Sequence, residues 1–118
     1  MKKMICALAL LVSCITSNAQ ESGVLTKGSV DCGQWLSARK VSSASTFETF
    51  LIGVVNGLAV GRRLDIWRAG GLQVSSEQLF YWMDAYCEKA PLSFVMEGAF
   101  VFADERTNGQ FTEAAKVN

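Results

Sequence analysis

The chain has 118 residues, 11 basic and 11 acidic side chains, no histidine, and half of its residues are hydrophobic. This length allows one domain with a core of its own. The neutral balance gives no electrostatic case for binding nucleic acid, and the lack of histidine removes the most common general base and metal ligand.

The first nineteen residues resemble a bacterial secretory signal. Lys2 and Lys3 form a positive start, an apolar run of roughly a dozen residues follows, and small residues precede a cleavage site before Gln20. The run is shorter than the ~20 residues that span a bilayer, so no retained anchor is expected. Cleavage there leaves nine basic against eleven acidic residues, a net charge of about −2. We expect an exported, periplasmic protein.

A second cleavage site competes with the first. The letters LVSC at residues 11–14 resemble the lipobox of bacterial lipoproteins, in which the cysteine becomes the lipidated first residue. We favour the cut before Gln20, because the lipobox would leave an unusually short apolar run. Lipidation of Cys14 would tether the same domain to a membrane, and without it no membrane contact is expected.

The folded domain is predicted to begin after a polar, glycine-containing lead-in at residues 20–28. Ser29 can cap a first helix that runs to about Lys40. This helix contains Cys32. Once the signal is removed, Cys32 and Cys87 are the two cysteines left in the domain. In an oxidising compartment two such cysteines are expected to form a disulfide.

The second predicted helix runs from about residue 46 to 64 and contains the stretch FLIGVVNGLAVGRR at 50–63. Ser45 and Glu48 fit a capping box at its start. Apolar residues lie almost all round this helix, so we expect it to be the central helix of the domain.

Gly53, Gly57 and Gly61 form a stripe with a spacing of four along this helix. The spacing fits neither a phosphate-binding loop nor a dinucleotide-binding turn. Each glycine destabilises a helix by about 0.5 to 1 kcal/mol relative to alanine, which suggests that close approach of another backbone compensates. That backbone belongs either to a neighbouring helix of the same domain or to a partner protein.

The segment RAGG at residues 68–71 indicates a turn before a third helix. Ser75 and Gln78 form a second capping box at the start of that helix. The helix should end near Lys89, because Pro91 disfavours a helical residue before it.

Pro91 itself can open a fourth helix that runs to about Arg106. Residues 108–118 form a polar tail with too little apolar content to require order. No alternating strand pattern occurs in the chain. The predicted fold class is therefore all-α, a small bundle of about four helices at residues 29–107 with one disulfide.

Phe94, Gly98 and Val101 lie on the otherwise acidic side of the fourth predicted helix. If the tail covers Phe94 and Val101, for example through Phe111, they are ordinary core residues. If the tail leaves them uncovered, they form a small docking strip of the kind that marks an interface.

The sequence offers no catalytic, cofactor-binding or metal-binding constellation. Both domain cysteines are expected in a disulfide, which leaves no cluster to hold zinc. The carboxylate pairs Asp84 with Glu88 and Asp104 with Glu105 fit solvated helix surfaces. We therefore predict a protein that is not an enzyme and that needs neither a cofactor nor a metal.

Several segments together resemble a group of small exported helical proteins of Gram-negative bacteria. They are CGQWLSAR, FLIGVVNG, VSSEQLFYWMDAYCEKAPL and the apolar helix after the proline, and they cover about residues 30–106. The layout is similar to the HdeA-type acid chaperones and to the Tai-type immunity proteins of type VI secretion. The resemblance implies an all-helical, disulfide-bonded periplasmic domain that acts by binding protein.

These families imply two hypotheses for the function. The first is a non-enzymatic periplasmic protein that binds another protein through a helical face, either immunity-like or an accessory of a secretion or conjugation system. The alternative is an HdeA-like acid-stress chaperone, for which eleven acidic residues supply titrating groups. The partner is expected to be a different protein or a second copy of the chain. The candidate contact residues are Gly53, Gly57, Gly61, Phe94 and Val101.

Overall fold

The computed structural model describes residues 27–116, which form an all-helical domain. Its helices are α1 (Cys32–Lys40), α2 (Ser45–Arg62), α3 (Ser76–Lys89), α4 (Val95–Arg106) and α5 (Gln110–Lys116), with a 3₁₀ turn at Ala69–Gly71. The predicted all-α fold and the disulfide between Cys32 and Cys87 are confirmed. The predicted signal at residues 1–19, Cys14 and most of the lead-in lie outside the described residues.

The first helix begins two residues later than the predicted cap would place it. Asp31 Oδ1 accepts a hydrogen bond from the backbone N of Gln34 at 2.8 Å, and the Gln34 side chain accepts one from the backbone N of Asp31 at 3.2 Å. The prediction of a cap at Ser29 is therefore wrong. Arg39 and Lys40 occupy the last turn, where the helix dipole favours cations.

The last long helix, α4, begins at Val95 and not at Pro91, because the chain between them pairs with the start of α1. The backbone N of Cys32 donates to Ser93 O at 3.0 Å, and the backbone N of Val95 donates to Val30 O at 2.8 Å. These bonds flank a bridge between Asp31 and Phe94 and hold Phe94 in an extended conformation. They also place the starts of α1 and α4 side by side.

One of the two predicted capping boxes forms and the other does not. At the start of α3, Ser75 Oγ accepts from the backbone N of Gln78 and the Gln78 side chain accepts from that of Ser75, as predicted. At the start of α2, Ser45 is already helical and makes no capping bond. Glu48 instead pairs with Arg39 at 2.7 Å, so a partner on another helix takes the carboxylate.

The central helix is α4, which contacts α2, α3 and α5, whereas α1 packs mainly on α3. The prediction that α2 is central is wrong, because only Leu51 and Val55 on it are buried. The buried face of α4 includes Gly98, Ala99 and Ala103, whose small size lets neighbouring helices approach. The fully buried large side chains of the core are Trp35, Leu51, Val55, Ile66, Leu79, Met83 and Val95, together with the disulfide.

The predicted absence of order in the polar tail is wrong for α5. Phe111 is only 6% exposed, and its ring lies 5.9 Å from the ring of Phe100 on α4. Asn108 and Gly109 adopt positive φ angles of 50° and 82° and reverse the chain between α4 and α5. A buried aromatic residue thus helps to hold a segment whose composition alone did not predict order.

The glycine that permits close approach inside the domain is Gly98. A Cβ atom at this position would lie 2.7 Å from Met83 Sδ and 2.8 Å from Tyr86 Cδ1 on α3. We expect Gly98→Ala to lower the free energy of unfolding by about 1 to 3 kcal/mol, because the tyrosine ring has to move. This loss exceeds the gain from the higher helix propensity of alanine. Urea unfolding measures the change, and an unchanged or higher free energy would contradict the tight packing of α4 on α3.

Candidate partner-binding surface

The glycine stripe of α2 faces away from the domain. Ideal Cβ atoms at Gly53, Gly57 and Gly61 meet no atom of the described chain within 4 Å. The expectation that a neighbouring helix of the same domain covers the stripe is therefore wrong for residues 27–116. We call this exposed surface the α2 glycine face; it consists of the three glycines with Thr46, Thr49, Asn56 and Val60.

The α2 glycine face carries no charged side chain. Val60 is 79% exposed, and Asn56 is fixed in orientation because its Oδ1 accepts a hydrogen bond from the Trp67 indole at 2.8 Å. Three of the positions on this face project no side chain, so another backbone can approach the helix closely. The helix therefore presents a smooth, uncharged surface along most of its length.

Phe94 and Val101 are 44% and 39% exposed on the outer side of α4. The tail does not bury them, because the Phe111 ring packs next to Phe100 instead. The alternative in which they are ordinary core residues is therefore wrong. Gly98, predicted to lie beside them, is buried against α3.

A partly buried cluster of charged side chains joins α1, α2 and α3. The guanidinium of Arg39 donates to Asp84 through Nε at 3.0 Å and Nη2 at 2.9 Å, and to Glu48 through Nη1 at 2.7 Å. The Trp35 indole donates to Asp84 Oδ1 at 2.7 Å. The hydrogen bond with Asp84 is the main cause that raises the pKa of Arg39 above its ordinary range. The expectation that Asp84 lies on a solvated surface is wrong, and the cluster acts as a structural tie.

Two carboxylates, exposed Asp65 and half-buried Asp104, have pKa values below the ordinary 3.8, and each fixes the start of a short helical segment. For Asp104 the causes are hydrogen bonds from Thr112, through Oγ1 at 2.7 Å and the backbone N at 2.9 Å, in the first turn of α5. For Asp65 they are hydrogen bonds from the backbone N of Arg68 at 3.0 Å and from its guanidinium at 2.8 Å. Both carboxylates therefore stabilise the folded chain in their charged form.

The described part of the chain brings no three His, Cys, Asp or Glu side chains together in a way that could hold a metal ion. Cys32 and Cys87 are disulfide-bonded, with their Cα atoms 5.0 Å apart. Glu105, next to Asp104, accepts a hydrogen bond from the Trp82 indole at 3.1 Å. These contacts do not test enzymatic activity, so its absence stays a prediction.

The chain matches no protein-family model, no curated protein and no solved structure. The resemblance to HdeA-type chaperones and Tai-type immunity proteins therefore stays a prediction that rests on the quoted segments. Between residues 27 and 116, no helix is long and apolar enough to cross a membrane. What the structure defines is an all-helical, disulfide-bonded domain with exposed faces on α2 and α4.

The open space beside the α2 glycine face has a measurable consequence. We expect Gly53→Ala and Gly57→Ala each to raise the free energy of unfolding by about 0.4 to 1 kcal/mol, because the new methyl group meets no atom and alanine restricts the unfolded chain. Urea unfolding checks this, with Gly98→Ala as the buried comparison of opposite sign. Destabilisation by Gly57→Ala would mean that another part of the chain covers the stripe.

Proposed function

We propose that this chain is a non-enzymatic periplasmic protein that binds another protein through a helical face. Its role would be that of an immunity-like protein, or of an accessory to a secretion or conjugation system. Export is supported by the predicted signal at residues 1–19 and by the disulfide, since disulfides persist in oxidising compartments.

The observation that carries the proposal is the uncovered stripe of Gly53, Gly57 and Gly61. Each glycine destabilises α2 by about 0.5 to 1 kcal/mol relative to alanine. Nothing in the described chain packs on the stripe to offset that loss. Contact with a second backbone would offset it, and binding is the circumstance in which such contact arises.

One further observation favours an acid-stress chaperone as the second candidate. The bonds from Thr112 to Asp104 hold the start of α5 on α4, where Phe111 covers part of the core and contacts Phe100. Protonation of Asp104 weakens these bonds. Release of α5 would expose the Phe111 ring and uncover more of Phe100, and exposed apolar surface is what binds unfolded clients.

Partner binding through the α2 glycine face is tested by adding a bulky side chain to this face without disturbing the fold. Gly57→Leu adds a side chain into open space, and Ser37→Leu makes a similar change at an exposed position of α1 as the matched control. The tagged chain, crosslinked in the periplasm of its native host and purified, should carry a stoichiometric partner protein. We expect Gly57→Leu to lose this partner and Ser37→Leu to keep it.

Two results would count against this function. One is recovery of the parent chain alone, as a folded monomer. The other is a partner that both leucine variants retain equally, because binding would then not use the α2 glycine face.

Acid should weaken the attachment of α5. The pKa of Asp104 is lowered in the folded chain, so its contribution to stability is present above pH 3.8 and is lost as the pH falls below that value. Hydrogen exchange at the Thr112 amide, followed against pH, should show the loss. Asp104→Asn should remove this pH dependence while the parent and Asp65→Asn keep it.

The chaperone function itself requires more than release of α5. At about pH 3 the parent chain should suppress the aggregation of an unfolded client protein, and Asp104→Asn should change the pH at which suppression begins. A chain that suppresses no aggregation there is not an acid chaperone, whatever α5 does.

A further inference from the structure

The outer face of α4 combines exposed apolar and acidic side chains. Phe94, Phe100 and Val101 are 44%, 41% and 39% exposed. One carboxylate, Glu97, lies between them, and Asp104 and Glu105 follow at helical spacing. We call this surface the α4 outer face; it consists of Phe94, Glu97, Phe100, Val101, Asp104 and Glu105.

Two open depressions of about 230 Å³ each flank a ridge formed by Val101 and Glu105. The first depression is lined also by Phe100, Asp104, Phe111 and Thr112, and the second by Trp82, Ala85, Tyr86 and Lys89. The rings of Trp82 and Tyr86 stack with their centroids 5.5 Å apart and form an aromatic wall on the second side. Side chains one helical turn apart on a partner could therefore straddle the ridge.

The carboxylates of this face are held in position by neutral donors. Glu97 Oε2 accepts from the backbone N of Phe94 at 3.0 Å, and Glu105 Oε2 accepts from the Trp82 indole at 3.1 Å. Asp104 is bonded to Thr112. The ion pairs of the described residues involve other carboxylates. Two lysines lie near this face, Lys116 beside Asp104 and Lys89 in the second depression, and they compensate its three negative charges only in part.

We propose that the α4 outer face binds a basic amphipathic helix of the partner protein. Apolar side chains of that helix enter the two depressions beside Val101, and its lysine or arginine residues contact Glu97, Asp104 and Glu105. A cation near the Trp82 and Tyr86 rings gains further from their π-faces. This inference rests on the proposed function and gives the chemistry of the partner.

A second copy of the chain is a poorer occupant of the same face. A symmetric dimer through the α4 outer face would bring the acidic residues of both copies together, and like charges across an interface oppose binding. The α2 glycine face has no such charges. The two faces thus differ in the chemistry of the contacts that they suit.

The probe for this inference is a fluorescent peptide of leucine and lysine, about 18 residues long, with leucines on one helical face. It is titrated by fluorescence anisotropy into the full chain with its disulfide intact. A peptide with the same leucines and glutamate in place of lysine is the control. We expect the basic peptide to bind, more weakly in about 0.3 M salt, and the acidic peptide not to bind.

Two matched substitutions separate docking on the ridge from general attraction to an acidic protein. Val101→Asp adds negative charge but removes the apolar ridge, whereas Val41→Asp makes the same change at an exposed valine after α1, outside both faces. We expect Val101→Asp to weaken binding of the basic peptide about tenfold and Val41→Asp not to weaken it. If Val101→Asp fails to fold, Val101→Ser removes the apolar ridge without changing the charge and gives the same test, with severalfold weaker binding expected.

Several results would overturn the inference. They are no binding of the basic peptide, equal binding of the acidic peptide, equal loss in both aspartate variants, and a dimer of the chain that Val101→Asp dissociates. If the native partner is lost with Gly57→Leu but kept with Val101→Asp, the proposed function stands and the assignment of its partner to the α4 outer face fails.

Discussion

The fold depends on the fastening of α1 to α3. A helix of nine residues is marginal on its own, since isolated helices shorter than about 12 to 15 residues are unstable in water. The disulfide joins its first residue, Cys32, to Cys87, and the ion pair of Arg39 with Asp84 joins its last turn to the same helix. The Trp35 indole is fully buried between these links. Both ends of α1 are thus fixed to α3. The hydrogen bonds between the start of α1 and the chain before α4 therefore position α1, α3 and α4 relative to one another.

Helix starts could be predicted from the sequence where the capping groups have no other partner. Ser75 and Gln78 bond each other's backbone, and the box that they form is purely local. The box expected at Ser45 fails because Arg39, on another helix, binds Glu48. The order of α5 was missed for the same kind of reason, since the buried Phe111 ring and the hydrogen bonds from Thr112 to Asp104 hold it on α4. Contacts between residues far apart in sequence decide these cases, and a local pattern does not contain them.

The alignment of the glycines along one line of α2 could be predicted from the sequence. Whether that line faces the core or the outside of the domain could not. A spacing of four places Gly53, Gly57 and Gly61 on one line of α2, and the structure has that line. Periodicity alone does not say which side of a helix meets its neighbours. Close approach inside the domain occurs at Gly98 instead, where Met83 lies opposite. Close approach was therefore the right physical role for a glycine of this domain, but which glycine has that role depends on a side chain of another helix.

The short helix α5 contacts both α2 and α4. The Phe111 ring lies 5.9 Å from the ring of Phe100 on α4 and 5.4 Å from the guanidinium carbon of Arg62 on α2. The bonds from Thr112 to Asp104 hold it in this position. The α2 glycine face is uncharged and the α4 outer face is acidic, so they suit contacts of different chemistry on a partner. A change that moves α5 alters the α4 outer face at Phe100, whereas its contact on α2, Arg62, lies outside the α2 glycine face.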